Sequence, residues 1–488
     1  MKQRQTKKTS IPLGLTFDDV LLTPRYSGLR PEDFISTETF LCKGIKIKTP
    51  LISAAMDTVT GSEMAIMLAR KGGIGVIHRN YSIAEQCKEI IHVKRHQGDK
   101  VMNPMTLKPT QYLEDALEIY KEFGFATIPI VDSAHKLLGL ITERHFDDFR
   151  NDKRPLSSLM VPVKDLTLAY TSTDLVKAGQ IMRKNGKKRL PVVRSKKDMT
   201  LLGIYFKKDI QNKEKFPNMS VDKKGRLLVA GAVGVGDEGF QRALALMNAG
   251  VDILCIDTAQ GDSVGVVEML KRIKKMFPYI PVIAGNVVTE QGARRLIRAG
   301  ADAIKVGVGP GAICTTRENM GNGLPQFSAI LEVSRATKPA KIPLIADGGI
   351  KALGDVIKAL AAGANSVMMG SVFAGTDETP GDIIESPGGG KFKEYRGMGS
   401  LEAMKTGRVN DRYAVGKTKK VAEGVTGRVP YKGAVELIID EYRNALIQSM
   451  RVYQGVTTLV QLQKNARFSQ QTQFGKYESG TRILPNTI

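Results

Sequence analysis

The sequence predicts an α/β protein: a (β/α)₈ barrel with a second domain inserted into it. Three observations carry this expectation. Eight short, apolar, β-branched runs recur, each ending in Gly, Asp, Asn or Ser; amphipathic helical stretches separate most of them; and about 150 residues intervene between the second and third runs. Buried strands alternating with helix-length connections make a parallel sheet, because a parallel crossover needs a dozen residues or more. Eight such strands are the number that closes a barrel. The long gap exceeds any loop of a compact domain, so it must hold a domain of its own.

In order, the runs are Pro50–Ala54, Gly73–Ile77, Leu228–Ala232, Ile253–Ile256, Pro281–Ala284, Ala303–Val306, Pro343–Ala346 and Ser366–Met369. Stretches such as Ser263–Met276 and Gly354–Ala362 have the apolar spacing of amphipathic helices. The expected organisation is a barrel formed in two parts, residues 1–95 and 219–488, around an insert at 96–218. The insert repeats itself. Met102-Asn103-Pro104, Ala126–Val131 and Leu138–Ile141 return as Met160-Val161-Pro162, Arg189–Val193 and Leu202–Tyr205, at offsets of 58, 62 and 64 residues. Two copies of one unit are expected to pack on each other and bury a shared face.

Composition sets the outer bounds. Of 488 residues, 42% are apolar and 25% charged, which excludes a disordered or fibrous chain. No apolar run approaches the 18 residues of a membrane span. The cysteines Cys42, Cys87, Cys255 and Cys314 form no CxxC pair, so neither a disulfide framework nor a structural zinc site is expected, and a reducing cytoplasm fits. The net charge of +23 is spread along the chain. Its densest run, Arg183–Lys197, holds eight Lys/Arg and no aromatic, and so reads first as a solvated face, with attraction of nucleotide phosphates or RNA as the alternative.

Barrel enzymes carry their chemistry at the C-terminal ends of the strands. Here those ends are Met56-Asp57, His78-Arg79-Asn80, Gly234-Val235-Gly236, Asp257-Thr258, Gly285-Asn286, Gly307–Cys314, Asp347-Gly348-Gly349 and Gly370-Ser371. Small residues after the seventh and eighth strands expose backbone N–H groups and suit a phosphate. Asp347 would repel that phosphate, so it is expected to accept hydrogen bonds from ribose hydroxyls instead. The Gly307–Arg317 segment sets three glycines at alternate positions before Cys314, and such a loop can aim carbonyls at a cation or amides at an anion. Cys314 is the candidate nucleophile; the other three cysteines read as packing. No GxGxxG turn opens a helix with an acidic residue about 20 positions on, which excludes a Rossmann domain, and Gly388–Lys391 is followed by Phe392, which excludes a P-loop. All five histidines lie in the first third of the chain, so His is not expected to be the base in the second half of the barrel.

These residues occur in an order that resembles the inosine-5′-monophosphate (IMP) dehydrogenases over nearly the whole chain. Leu15–Leu22, Ala55–Thr60, the Cys314 loop, Ile345–Ile350 and Tyr395–Ser400 all match. The insert resembles a tandem pair of cystathionine-β-synthase (CBS) domains. The resemblance implies NAD-dependent oxidation of IMP to xanthosine monophosphate (XMP), the committed step of guanine nucleotide synthesis. Cys314 would form a covalent thioimidate, and Thr316, Arg412 and Tyr413 would activate water within a flap, Gly399–Gly424, with Glu423 as a further member. It further implies that Asp347 holds ribose, that Gly349, Gly370, Ser371 and Tyr395 surround the phosphate, and that Met56, Gly397, Met398 and Gly399 line the nucleotide pocket. Asp257, Gly285 and Asn286 would contact NAD. Carbonyls of Gly309, Gly311 and Cys314 would hold potassium, completed by Glu478, Ser479 and Gly480 of a neighbouring subunit. That implies a homotetramer, with stacking into octamers left open.

Two departures stand out. The family's loop reads Gly-Ser-Ile-Cys, and its Ser contacts the phosphate; Ala312 replaces it here. In the CBS pair the nucleotide motif is split, Thr142 being followed by His145 where Asp is expected, and Asp209 being preceded by Phe206 where Thr is expected. An adenine or guanine nucleotide in the insert is therefore an open expectation. The rival readings are GMP reductase, which shares the barrel and Cys loop but lacks an Arg-Tyr flap, and a non-catalytic nucleotide- or RNA-binding protein.

Overall fold

The computed structural model describes residues 11–96, 101–102, 104–123, 125–148, 152–405 and 421–480. The chain divides into two compact units. One comprises the residues up to 95, 218–220 and those from 228 onward; the other comprises 96–217 and 221–227.

The first unit is a closed parallel barrel of eight strands: β1 (Leu51–Ser53), β2 (Ile74–Ile77), β3 (Ala230–Val233), β4 (Ile253–Asp257), β5 (Val282–Val287), β6 (Ala303–Val306), β7 (Leu344–Asp347) and β8 (Ser366–Met369). Nearly every strand residue is buried, because one face packs inside the barrel and the other against helices. β3 begins two residues later than the apolar run Leu228–Ala232, since its parallel pairing with β2 and β4 starts at Ala230. Seven barrel helices follow the first seven strands: α1 (Ser62–Arg70), α2 (Ile83–Arg95), α3 (Gly236–Asn248), α4 (Val264–Met276), α5 (Glu290–Arg298), α6 (Gln326–Ala340), which comes after the short helix Thr316–Met320, and α7 (Leu353–Ala361). The eighth, α8 (Val435–Gln448), comes only after an excursion that includes the antiparallel strands Ile384–Glu385, Lys391–Arg396 and Thr426–Pro430. It still packs between α7 and α1 and closes the ring. There Lys71 pairs with Glu436 at 2.9 Å and Asp440 at 2.7 Å, one helical turn apart.

A hairpin, Thr39–Cys42 with Ile45–Ile47, stoppers the N-terminal mouth. Its Leu41, Cys42 and Ile47 join the barrel core with Val76, Ala232, Cys255, Ile283 and Ile345. The Lys43 N–H bonds Asp302 O, just ahead of β6, at 3.0 Å. Burial pushes the Cys42 thiol far above its usual pKa, so Cys42, like Cys255, serves packing. With this end filled, the C-terminal mouth is where a site can be built.

The second unit shows the repeat. Strands Thr127–Val131 and Leu137–Thr142 recur as Arg189–Val193 and Leu201–Phe206, each pair followed by a helix, Glu143–Asp148 and Lys207–Lys215. The strand that opens each copy pairs with the other copy's sheet: Val101–Met102 with Gly203–Ile204, and Val161–Pro162 with Gly139–Leu140. Equivalent residues Val131, Leu137 and Leu140 meet Val193, Leu201 and Ile204 in one core, the shared face the repeat requires. In the first copy His145 turns back on the strand end: its Nδ1 accepts from the Thr142 N–H at 3.1 Å and lies 3.0 Å from Thr142 Oγ1. Among the described residues no helix is long and apolar enough to cross a membrane.

Candidate active site

β6 ends in the glycine-rich loop, and its geometry needs glycine. Gly307 has φ 143°, and a Cβ there would lie 2.3 Å from Asp347 O. Beneath the loop Arg317 donates to Val308 O at 3.1 Å and Leu324 O at 2.5 Å, tying the loop's start to the segment beyond it. The loop then presents Cys314, half-buried, just before the short helix Thr316–Met320. Cys314 Sγ lies 3.2 Å from Thr316 Oγ1, and Thr316 Oγ1 donates to Glu423 Oε2 at 2.7 Å. Thiol, hydroxyl and carboxylate thus form one continuous chain.

Glu423 comes from a segment more than 100 residues away, and backbone pairing carries it there. Cys314 and Gly424 form an antiparallel bridge, with Thr315 N–H to Glu423 O at 3.1 Å and Val425 N–H to Ile313 O at 3.0 Å. Gly397 N–H bonds Val425 O at 3.0 Å, and Glu423 N–H bonds Gly399 O at 3.0 Å, which adds Tyr395–Gly399 to the same wall. A fork-shaped ion pair clamps that wall to the barrel: Arg396 Nε and Nη2 reach Asp57 at 2.6–3.1 Å, and Asn80 Nδ2 also donates to Asp57, at 2.6 Å. Tyr395 Oη lies 3.9 Å from Met56 Sδ, and burial pushes its phenol pKa well above the usual value.

Inside the mouth sits a buried polar cluster that the strand pattern concealed. Lys305, in the middle of β6, reaches Asp347 Oδ2 at 2.5 Å and Asp257 Oδ1 at 3.2 Å. Asn286 Nδ2 donates to the same Asp347 Oδ2 at 3.0 Å and to Gly307 O at 2.7 Å. A lone lysine inside the apolar run Ala303–Val306 was the available signal, because a charge buried on a strand must find a partner. His78, at the end of β2, is held neutral, burial pushing its pKa down to about 4.

Two connected hollows fill the mouth. The larger, about 730 Å³ and open to solvent, runs from Thr258 and Ala259 past Asn286 to Cys314, Thr316, Met398 and Glu423. Such a cleft is of small-molecule size. Among the described residues Asn286 Oδ1 on its wall is buried without a hydrogen-bond partner, so a ligand bringing an N–H or O–H donor fits there. The smaller hollow joins it at Met56 and Asp347 and ends among Ala312, Gly349, Gly370 and Ser371. Among the described residues the amides of Gly349 and Ser371 meet no protein acceptor, which suits an anion. Gly370 is required by space, since a Cβ there would lie 2.9 Å from Tyr395 Oη.

The structure therefore brings together Met56, Cys314, Thr316, Asp347, Gly349, Gly370, Ser371, Tyr395, Gly397, Met398, Gly399, Glu423 and Asn286. Asp257 and Gly285 lie behind the cleft wall, Asp257 on Lys305 and Gly285 with its carbonyl taken by Thr258 Oγ1 at 2.8 Å. Arg412 and Tyr413 lie outside the described residues. Glu478 closes the short helix Gln473–Glu478, and the hydrogen bonds of Ser479 and Gly480 run within that region. Among the described residues no group of three or more His, Cys, Asp or Glu is arranged to hold a metal. Among the described residues the carbonyls of Gly309 and Cys314 accept no hydrogen bond, and that of Gly311 accepts one from Cys314 N–H at 3.1 Å, so an all-oxygen donor set remains for a hard monovalent cation.

Fold and site together define a (β/α)₈-barrel enzyme class with a loop cysteine beside a phosphate-sized hollow. The chain belongs to the IMP dehydrogenase / GMP reductase family, whose domain model matches residues 14–482. It is 45% identical over 482 residues to the inosine-5′-monophosphate dehydrogenase of Aquifex aeolicus, covering 97% of both chains. To that of Streptococcus pyogenes serotype M3 it is 44% identical over 472 residues, covering 96% of this chain and 94% of the relative. Among solved structures it resembles a Cys-to-Ala variant of Trypanosoma brucei GMP reductase in complex with guanosine 5′-monophosphate. That match has TM-score 0.86 and 36% identity, covering 98% of this chain and all of that one. The same reductase in complex with guanosine 5′-triphosphate matches with TM-score 0.76 and 34% identity, over 96% and 99%.

Proposed function

We propose that this protein oxidises IMP to XMP with NAD as hydride acceptor, through a covalent adduct on Cys314. The observation that carries the chemistry is the Cys314–Thr316–Glu423 chain at the head of a cleft that continues into an amide-lined hollow. The curated relatives support the direction of reaction, being named as IMP dehydrogenases along nearly their whole length.

Each residue has a role that its surroundings support. The amides of Gly349 and Ser371 take the 5′-phosphate, and Asp347, held from one side by Lys305 and Asn286, takes the ribose hydroxyls. Met56, Gly397 and Met398 bound the base, so its C2 lies over Cys314. Cys314 gives up its proton towards Thr316 and Glu423 as sulfur bonds to C2; bound NAD would supply the acceptor for the hydride that leaves C2, and a thioimidate would remain on Cys314. Water then adds to C2, its proton leaves through Thr316 and Glu423 or the Arg412–Tyr413 pair, and the C–S bond breaks. XMP is released and the thiol regains its proton. The sum is IMP, NAD and water to XMP, NADH and a proton.

NAD fits beside Asn286, Thr258 and Ala259, and potassium fits the carbonyls of Gly309, Gly311 and Cys314 with Glu478, Ser479 and Gly480 of a neighbouring subunit. That assignment carries a homotetramer with it. The insert is a CBS pair. Because His145 already engages Thr142, the first copy is the poorer nucleotide site. Four free cysteines suit the cytoplasm.

The structural likeness to GMP reductase favours a second reading, NADPH-dependent conversion of GMP to IMP with loss of ammonia. Barrel and Cys loop serve either reaction; Arg412-Tyr413 favours the dehydrogenase. NADH formation from IMP, NAD and potassium, lost in Cys314→Ala, is the expected result. Silence with IMP together with NADPH consumption on GMP would instead establish the reductase.

A further inference from the structure

We propose that Lys305 is a positioning residue that presents Asp347 to the ribose and couples the nucleotide site to the cofactor site. The inference rests on the ribose role given to Asp347 above. Its ammonium is buried and lies between two carboxylates from opposite parts of the barrel, Asp347 at the end of β7 and Asp257 at the end of β4. Their side chains are 18% and 5% exposed, and that of Lys305 is 2% exposed. Two carboxylates this close to one point would repel each other without a cation between them. Lys305 supplies it.

The geometry is one-sided. Both protein donors to Asp347, Lys305 Nζ and Asn286 Nδ2, use Oδ2. Oδ1 receives no protein donor among the described residues, and Asp347 lines both hollows. The carboxylate is therefore fixed in rotation and left with one oxygen for a ligand hydroxyl. Asn286, which shares this grip, also lines the cofactor end of the cleft. Asp257 is bound to the same ammonium from the cofactor side, and Arg79 Nη2 lies 3.5 Å from its carbonyl oxygen. A change in charge or position at Asp257 thus reaches Asp347 through one nitrogen atom. Gly285 leaves the space this needs, since a Cβ there would lie 2.7 Å from Lys305 Cβ.

The test is equilibrium binding of IMP and of 2′-deoxy-IMP to the full-length chain, with Cys314→Ala throughout to prevent turnover. One charge-assisted hydrogen bond from the hydroxyl predicts a preference for IMP of about tenfold or more with Lys305 present. In Lys305→Met that preference is expected to fall to about threefold or less, while Lys305→Arg, which keeps the charge, restores most of it. A merely structural lysine would weaken both nucleotides equally and leave their ratio unchanged. Asp257→Asn supplies an independent arm should Lys305→Met fail to fold. It removes a charge that never meets IMP, yet is expected to change the IMP to 2′-deoxy-IMP ratio by at least about twofold. Unchanged ratios in the folded variants, with IMP still binding to the parent, overturn the role of Lys305 and leave the function intact. Failure of the parent to bind IMP overturns the functional reading and this inference together.

Discussion

Replacing Ala312 by Ser tests the phosphate assignment most directly. Ala312 lines the small hollow beside Gly349, Gly370 and Ser371, and its methyl group donates nothing. The hollow's own donors include the free amides of Gly349 and Ser371. Lys351 also borders it, but its side chain is 77% exposed and stands 3.4 Å from Asp18 Oδ2. A cation so solvated adds on the order of 1 kcal/mol or less. It therefore does not replace a missing short hydrogen bond. A hydroxyl placed at Ala312 would donate to a charged oxygen, worth about 1.5–3 kcal/mol. Ordering one serine rotamer and drying its hydroxyl cost a few tenths, so the lower half of that range is expected. This corresponds to IMP binding about 10–50-fold tighter. Calorimetric titration of Ala312→Ser in the Cys314→Ala background measures it, with inosine as the control. The gain should vanish with inosine, which has no phosphate. Unchanged IMP affinity, or an equal gain with inosine, would refute the assignment.

Three further outcomes follow from the geometry. Glu423→Gln keeps the shape but removes the proton acceptor behind Thr316, so kcat should drop about 10²–10⁴-fold with IMP affinity within about threefold; a kcat within a few-fold of the parent would exclude the relay. Arg396→Ala strands the nearly buried Asp57 carboxylate. Because Arg396 is itself a quarter exposed, the loss should be about 2–3 kcal/mol by chemical denaturation, below the figure for a fully buried pair. KM for IMP should also rise as the Tyr395 strand loosens, and Lys should rescue only in part because it cannot form the fork. His78 has its pKa lowered to about 4 by burial. The unfolded chain therefore binds the extra proton between about pH 6.5 and 4, and stability falls on acidification through that window, by about 2 kcal/mol between pH 7 and 5. His78→Phe should flatten this part of the stability–pH curve; an identical slope in the variant would show that other groups set it.

Much of the frame was legible because short-range pattern and long-range fold agree. Six of the eight apolar runs lie within a residue or so of their strands, since a strand covered on both faces must be apolar throughout; β3 starts two residues into its run, and β5 continues three residues past Ala284 to Val287. The repeat in the insert likewise announced a paired core, and Val131 against Val193 and Leu137 against Leu201 supply it. Cys314 stood out among the cysteines because it alone lies in a glycine-rich loop at a strand's C-terminal end. The eighth helix was harder to place, because the excursion before it breaks the strand–helix rhythm, and only its packing between α7 and α1 identifies it.

What the sequence determined by itself was the periodicity, hence the barrel, and the order of the motifs, hence the family. Which side chains touch was decided by tertiary structure. Glu423 reaches Thr316 because a two-stranded bridge at Cys314 and Gly424 joins segments more than 100 residues apart. Lys305 meets Asp257 and Asp347 because closing the sheet turns the ends of β4, β6 and β7 towards one axis. Hydrophobic periodicity records which face of an element is buried, whereas the partner of a buried charge is set by where the closed barrel places other strands, and no local pattern in the chain encodes that.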